Sequence, residues 1–325
     1  MIDYPAHLDM MWQKAIAPRD PNAPTVISTF AGGGGSSTGY HMAGFRELLA
    51  VEWDDNAVET LRLNYPDLDI YHGDIAKLTV KEVLKRTGLQ PGDLDIFDGS
   101  PPCQGFSTAG IRVMSDPRNQ LFKEYVRLLR GLQPKVFVME NVSGMVKGKM
   151  KLVFVEILKE LKASGYKVSA RLLNAMYFHV PQSRQRLIFI GVRDDLGIEP
   201  SHPGAESGGI TLRRAGINHE IGVRKSVLNR EYHKGRKRRF NPSDVAYAIT
   251  KQGAFGVRLA QLDPIKIDDL KKIASYPPCY ELAGNRVRQW QRIGNSVPPL
   301  FMEAIARHIR TEILDKANLA IQDKN

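Results

Sequence analysis

Residues 25–40 read Thr-Val-Ile-Ser-Thr-Phe-Ala-Gly-Gly-Gly-Gly-Ser-Ser-Thr-Gly-Tyr, a short apolar run that breaks into four consecutive glycines. A strand that runs into glycines lets the backbone turn sharply and come close to a ligand. Two familiar forms of this turn fail on spacing. The dinucleotide fingerprint needs a third glycine, but Gly32-x-Gly34-x-x is followed by Ser37. The nucleoside-triphosphate loop needs Gly-Lys-Ser/Thr, but Gly39 is followed by Tyr40 and His41.

Working outward, the same strand-then-helix rhythm continues to about residue 192. Apolar runs at 25–30, 48–52, 69–71, 94–98, 136–139, 167–173 and 187–192 predict strands. Most are separated by helical patterns, at 56–64, 80–86, 119–132 and 150–164. This predicts an α/β fold with a doubly wound, mostly parallel sheet and ligand chemistry at the strands' carboxyl ends. From about Arg193 the rhythm stops. Residues 197–222 are rich in Gly, Pro and Ser, no helical pattern appears until 267–274, and residues 299–317 form an amphipathic helix. The expected division is 1–192 for the ligand-binding domain, 193–281 for a small irregular one, and 282–325 for a segment returning to the first.

Charge follows the same division. The chain of 325 residues has 46 Lys+Arg against 35 Asp+Glu, a net +11. Between Thr211 and Phe240, ten basic residues stand against two acidic ones, a net of eight positive charges in one short stretch. Such a run is read either as a solvated loop or as a phosphate-contacting surface. With only Cys103 and Cys279, a disulfide scaffold and a cysteine-rich zinc site are excluded, and a reducing compartment fits. No apolar run approaches the roughly 18 residues of a membrane span, and the first 20 residues lack a signal-peptide core. A soluble cytoplasmic protein is expected.

At the end of the second strand stands Glu52-Trp53-Asp54, about twenty residues past the turn, where an acid accepts hydrogen bonds from ribose hydroxyls and Trp53 can stack on a purine. The third strand leads to Asp74-Ile75, whose carboxylate could accept from an adenine amino group. Helix capping by Glu52 and Asp74, and burial of Trp53, are the plainer readings of each alone. Together they describe an adenosine pocket without a phosphate clamp, which suits S-adenosylmethionine better than a nicotinamide.

The fourth strand ends in Gly99-Ser-Pro-Pro-Cys103-Gln104-Gly-Phe-Ser107. Paired prolines fix φ and present the next side chain rigidly, so Cys103 reads as a nucleophile rather than a small buried hydrophobe. A zinc deaminase also uses Pro-Cys but needs a second Cys where Phe106 stands. The fifth strand ends in Glu140-Asn141-Val142, where a carboxyl is costly to bury without a task or a partner. Pro181-Gln182-Ser-Arg184-Gln-Arg186 precedes another apolar strand.

These segments, with Arg292-Ile-Gly-Asn295-Ser-Val297-Pro298, resemble the DNA (cytosine-5)-methyltransferase family, prokaryotic type, in the family's order and over most of residues 25–310. The match to the segment that usually precedes the family's last motif is weak at 265–279, and the recognition region from Arg193 to Pro264 is short for the family. The resemblance implies a Rossmann-like methyltransferase sheet, a small target-recognition domain, and transfer of a methyl group from S-adenosylmethionine to C5 of a flipped-out cytosine in a specific duplex DNA sequence. Cys103 would add to C6. Glu140 would bind and protonate the N3/N4 edge, which asks for a carboxyl shielded from water. Arg184 would position the pyrimidine, with Arg186 supporting it. Phe30, Gly32, Gly34, Glu52, Trp53, Asp74, Ile75, Pro102, Leu121, Asn295 and Val297 are expected around the cofactor. Gln104, Arg112, Gln182, Arg224, Lys225, Lys234, Arg236, Lys237, Arg238 and Arg239 are expected at double-stranded DNA, with residues 105–119 closing over the base. No metal is called for. The protein is expected to act as a monomer, with a possible restriction endonuclease of the same site as companion. Rival readings are a tRNA cytosine-5 methyltransferase and a catalytically inactive DNA-binding regulator.

Overall fold

A computed structural model describes residues 3–102, 120–148, 150–218, 221–224, 237–249 and 265–322. Among these, seven strands form one sheet: β1 (Thr25–Thr29), β2 (Arg46–Glu52), β3 (Ile70–His72), β4 (Ile96–Gly99), β5 (Val136–Val142), β6 (Tyr166–Asn174) and, after the short β7 (Gln182–Ser183), β8 (Gln185–Arg193). Their order is β3-β2-β1-β4-β5-β8-β6. All neighbouring pairs are parallel except those made by β8, which runs antiparallel to both β5 and β6. The order reverses between β1 and β4, the place where doubly wound sheets open a crevice at their carboxyl ends.

Side chains alternate between the two faces, as a strand's period of two requires. On β5, Val136 and Val138 join one core and Phe137 and Met139 the other. The second core is covered by α4 (Val80–Thr87), α5 (Gln120–Leu132) and α6 (Met150–Lys162). The first receives α1 (Tyr4–Ile16), α2 (Gly35–Met42) and Leu61 of α3 (Asp55–Asn64), and behind them α7 (Ile267–Ile273), α8 (Arg286–Asn295), α9 (Pro299–Ile309) and a π-turn at Arg310–Leu314 that leads into α10 (Asp315–Gln322). Each large apolar side chain fully buried in these layers contributes about 2 kcal/mol.

Three helices lie outside the expected pattern. In α1, Tyr4, Leu8, Met11, Trp12 and Ala15 recur at helical spacing, and Asp3 caps the first turn. α2 forms from Gly-Ser-Ser-Thr-Gly, a poor helical sequence, because α9 packs against it. A Cβ on Gly39 would meet Cβ of Met302 at 2.5 Å, so only glycine permits that approach. α8 hides an apolar stripe of Trp290 and Ile293 among arginines. Beyond β8, the described chain forms a two-stranded antiparallel ribbon of β9 (Ile221–Arg224) and β10 (Lys237–Phe240), and a small pairing of β11 (Ala246–Tyr247) with β7. No described helix is long and apolar enough to cross a membrane.

Candidate functional site

Where β1 ends, Phe30 adopts φ 55°, a left-handed conformation rare for a large side chain, and Gly32 and Gly34 follow at 56° and 78°. The turn is held by Glu52 from the end of β2. Its Oε2 accepts the Gly32 amide at 2.7 Å, and its Oε1 accepts the amides of Trp53 and Asp54, each at 2.9 Å. One buried carboxylate thus ties two strand-end loops together. Beside it opens a cavity of about 340 Å3, lined by Phe30, Val51, Glu52, Trp53, Gly73, Asp74, Ile75, Pro102 and Leu121.

Seven of the residues expected around a cofactor therefore meet in one cavity: Phe30, Glu52, Trp53, Asp74, Ile75, Pro102 and Leu121. Gly32 and Gly34 shape the turn without lining it. Asn295 and Val297 do not line it either. Asn295 is exposed at the end of α8, and Val297 is buried, its carbonyl packed where a Cβ on Gly35 would overlap it. The lining suits a nucleoside, with apolar walls for a purine ring and two carboxylates to accept from hydroxyl or amino donors. Among the described residues no Lys or Arg lines it, so these offer nothing for a polyphosphate. Trp53, 77% exposed, stands at the rim instead of in the core.

The second part of the site lies one strand over. Asn141 donates from Nδ2 to the Pro101 carbonyl at 3.2 Å, which pins the turn leading to residue 103 against the end of β5. Next to it, Glu140 is buried and its Oε1 lies 2.6 Å from Nε of Arg186. The register explains the pair. Val142 is opposite Arg186 and Glu140 opposite Ile188, so Glu140 and Arg186 are diagonal neighbours on the same face of the sheet. Carboxyl and guanidinium therefore sit together at the carboxyl end of β5, next to the Asn141 that holds Pro101.

The two expected arginines behave differently. Arg184 is 2% exposed; Nη1 donates to the Ile249 carbonyl at 2.8 Å and Nη2 to that of Gly294 at 3.0 Å. Burial, and then the neighbouring Arg186, pull its guanidinium down to about 9, with Glu140 and Tyr276 opposing, so it stays a cation at neutral pH. Its hydrogen bonds join the strand entrance to segments 65 and 110 residues away, whereas Arg186 meets Glu140. Gln182, expected at DNA, is also buried at 1% exposure. Its Oε1 accepts the Ile249 amide at 3.0 Å and its Nε2 faces the Ile273 carbonyl at 3.4 Å.

Cys103, Gln104, Arg112, Lys225, Lys234 and Arg236, and the expected closing segment 105–119, lie outside the described residues. Arg224 lies on β9 and Lys237, Arg238 and Arg239 on β10, where Lys237 pairs with Arg224 across the ribbon. Among the described residues no cluster of three or more His, Cys, Asp or Glu could hold a metal ion.

Two features escaped the sequence reading. Asp98, on β4 just before the Gly-Ser-Pro-Pro turn, is buried and accepts from the Tyr40 hydroxyl at 3.1 Å. Burial pushes its carboxyl from 3.8 up to about 8; Glu47 and Glu140 add to the rise, and Tyr40 and Ser36 oppose it. Tyr280 donates to the Gly33 carbonyl at 2.7 Å and Arg292 pairs with Asp54 at 2.8 Å, so the C-terminal segment grips the glycine turn. Arg292 opens a recognisable motif, but its partner could not be read from spacing.

The family model for C-5 cytosine-specific DNA methylase matches residues 24–209. The Type II methyltransferase M1.HphI of Haemophilus parahaemolyticus is 32% identical over 327 aligned residues, which cover 88% of this chain and 86% of that protein. The Type II methyltransferase M.AquIA of Picosynechococcus sp. is 44% identical over 177 residues, covering 52% of this chain and 71% of its own. Among solved structures, a candidate DNA modification methyltransferase encoded within a prophage (E. coli) superimposes with a TM-score of 0.71 at 20% identity, covering 90% of this chain and 100% of that one. The S. pombe Dnmt2 methyltransferase gives 0.64 at 20% identity, with 90% and 99% covered. These two likenesses concern the fold.

Proposed function

The chain belongs to the C-5 cytosine-specific DNA methylase family, and from that premise we propose that it transfers the methyl group of S-adenosylmethionine to C5 of a cytosine turned out of duplex DNA. The observation that carries this reading is the Glu140–Arg186 pair at 2.6 Å, set beside the turn that Asn141 holds at Pro101. An acid, an arginine and a cysteine two residues beyond that proline are what the reaction requires.

Cytosine C5 is a weak nucleophile. The Cys103 sulfur, as thiolate, adds to C6 and pushes electron density toward C5 while Glu140 hydrogen bonds the N3/N4 edge and supplies a proton there. Arg186 orients Glu140 and offsets charge that develops on the ring, and Arg184 braces the strand entrance from behind. S-adenosylmethionine, when bound, would supply an electrophilic methyl and depart as S-adenosylhomocysteine; the C5 proton would pass to water, the N3 proton return to Glu140, and the Cys103 sulfur leave as the C5–C6 double bond is restored. Glu52 and Asp74 hold the donor's hydroxyl and amino groups, Trp53 covers the purine, and Phe30, Ile75 and Leu121 exclude water from it.

Residues 193–281 serve as the target-recognition unit, with the β9–β10 ribbon and its basic residues on phosphates, while 1–192 and 282–325 carry the chemistry. The protein works as a monomer in the cytoplasm on nucleoid DNA. The relatives named above are Type II methyltransferases, which supports a companion restriction endonuclease acting on the same site.

The test is covalent trapping. Duplexes in which 5-fluorocytosine replaces cytosine block loss of the C5 substituent, so with donor present a denaturation-resistant protein–DNA adduct should accumulate, and Cys103→Ala should form none. Failure of the wild type to form an adduct on any duplex, with donor bound and the fold intact, removes the reading.

A further inference from the structure

Arg292 leaves α8 and lies across the glycine turn. A Cβ built on Gly33 would touch its Cβ at 3.4 Å and its Cδ at 3.6 Å, so the arginine stem rests on the turn's backbone. Nη2 then meets Oδ1 of Asp54 at 2.8 Å. Asp54 follows Trp53 directly. The same Oδ1 accepts the Ala57 amide at 3.0 Å, which caps α3, and the Asp54 amide shares Oε1 of Glu52 with that of Trp53. Trp53 is 77% exposed, so packing does not fix its ring. What fixes the loop beneath it is this chain of polar contacts, and Arg292 is its outer end.

We propose that Arg292 is a positioning residue for donor binding: through Asp54 it holds the Trp53 loop at the rim of the cavity, and so sets the affinity for S-adenosylmethionine without touching it. The proposal rests on the donor assignment above. The pair is largely buried, its side chains 11% and 30% exposed, so its loss also costs stability, and affinity has to be read apart from melting. A bridge that preorganises an exposed aromatic flap lowers the ordering cost of binding, and its loss weakens affinity.

The experiment uses the full chain and S-adenosylmethionine as probe, in four variants: Arg292→Gln, Arg292→Lys, Asp54→Asn and the Arg292→Gln/Asp54→Asn pair. Dissociation constants come from calorimetry, stability from thermal melting, and steady-state rates from labelled methyl transfer to duplex DNA. Arg292→Gln and Asp54→Asn should each raise Kd and donor KM about tenfold at a temperature well below their melting, with kcat at saturating donor within about twofold of wild type. Arg292→Lys should recover most of the affinity, and the double variant should bind no worse than either single one. Unchanged Kd in Arg292→Gln, or additive losses in the double variant, overturns the proposal. If Arg292→Gln unfolds, Arg292→Lys and Asp54→Asn carry the same test from both ends of the bridge. A wild type that fails to bind S-adenosylmethionine at all overturns the donor assignment itself, and this proposal with it.

Discussion

The cavity draws its lining from residues at or just past the ends of β1, β2, β3 and β4, four parallel strands, and from Leu121 of α5. The acceptor edge is built across an antiparallel pair: Glu140 on β5 and Arg186 on β8 meet only because Val142 and Arg186 are in register. It is also braced from afar, since Arg184 and Gln182 bond to residues 249, 273 and 294. The difference teaches which losses should be local. Damage at the cavity should weaken one ligand, whereas damage behind the acceptor edge should loosen the molecule.

The largest effect should come from the reactive groups. Cys103→Ala and Glu140→Gln should each cut methyl transfer by a factor on the order of 10³ to 10⁴, while donor Kd stays within about twofold. A matching loss of donor affinity would mean that the two regions are not separable. The sharpest comparison is between the neighbouring arginines. Arg186→Lys, which keeps a cation beside buried Glu140, should lower kcat by a factor on the order of 10² and leave the denaturation midpoint nearly unchanged. Arg184→Ala should cost about 3 kcal/mol of stability by chemical denaturation, because it leaves two buried carbonyls unpaired. If Arg184→Ala instead gives a stable, slow enzyme, the brace assignment is wrong.

On the cavity side the expected losses are smaller. Trp53→Ala should raise the donor Kd about tenfold, the scale of one stacked base, with no change in melting temperature; equal affinity would remove Trp53 from the rim's function. The subtlest effect concerns Asp98, which lies between the two regions. Below pH 4 its carboxyl is protonated in folded and unfolded chains alike. From there to about pH 8 the unfolded chain ionises first while the buried group keeps its proton, so stability falls as pH rises and levels off above pH 8. Asp98→Asn still accepts from Tyr40 but does not titrate. Denaturation at pH 5 and pH 8 should show wild type losing about 1 kcal/mol or more relative to the variant; an equal slope would place Asp98 in a wetter site.

All seven strands of the sheet were legible, because apolar runs separated by helical patterns leave few alternatives, and so was most of the cavity's lining, whose residues lie next to strand ends. α2 was not, since its glycines argue against a helix until α9 is present to pack on them. The roles of Arg184 and Arg186 could not be told apart by spacing. They occupy equivalent alternating positions, and only the break between β7 and β8 sends one inward and the other to Glu140. The partnership of Arg292 with Asp54 is likewise invisible, being a contact across 238 positions of chain.

The bond from Tyr280 to Gly33 spans 247 residues. During synthesis at roughly 5–20 residues per second, the glycine turn waits on the order of ten to fifty seconds before its clamp leaves the ribosome. A nascent chain can therefore assemble its first strands early, yet its glycine turn stays without this clamp until residue 280 has emerged.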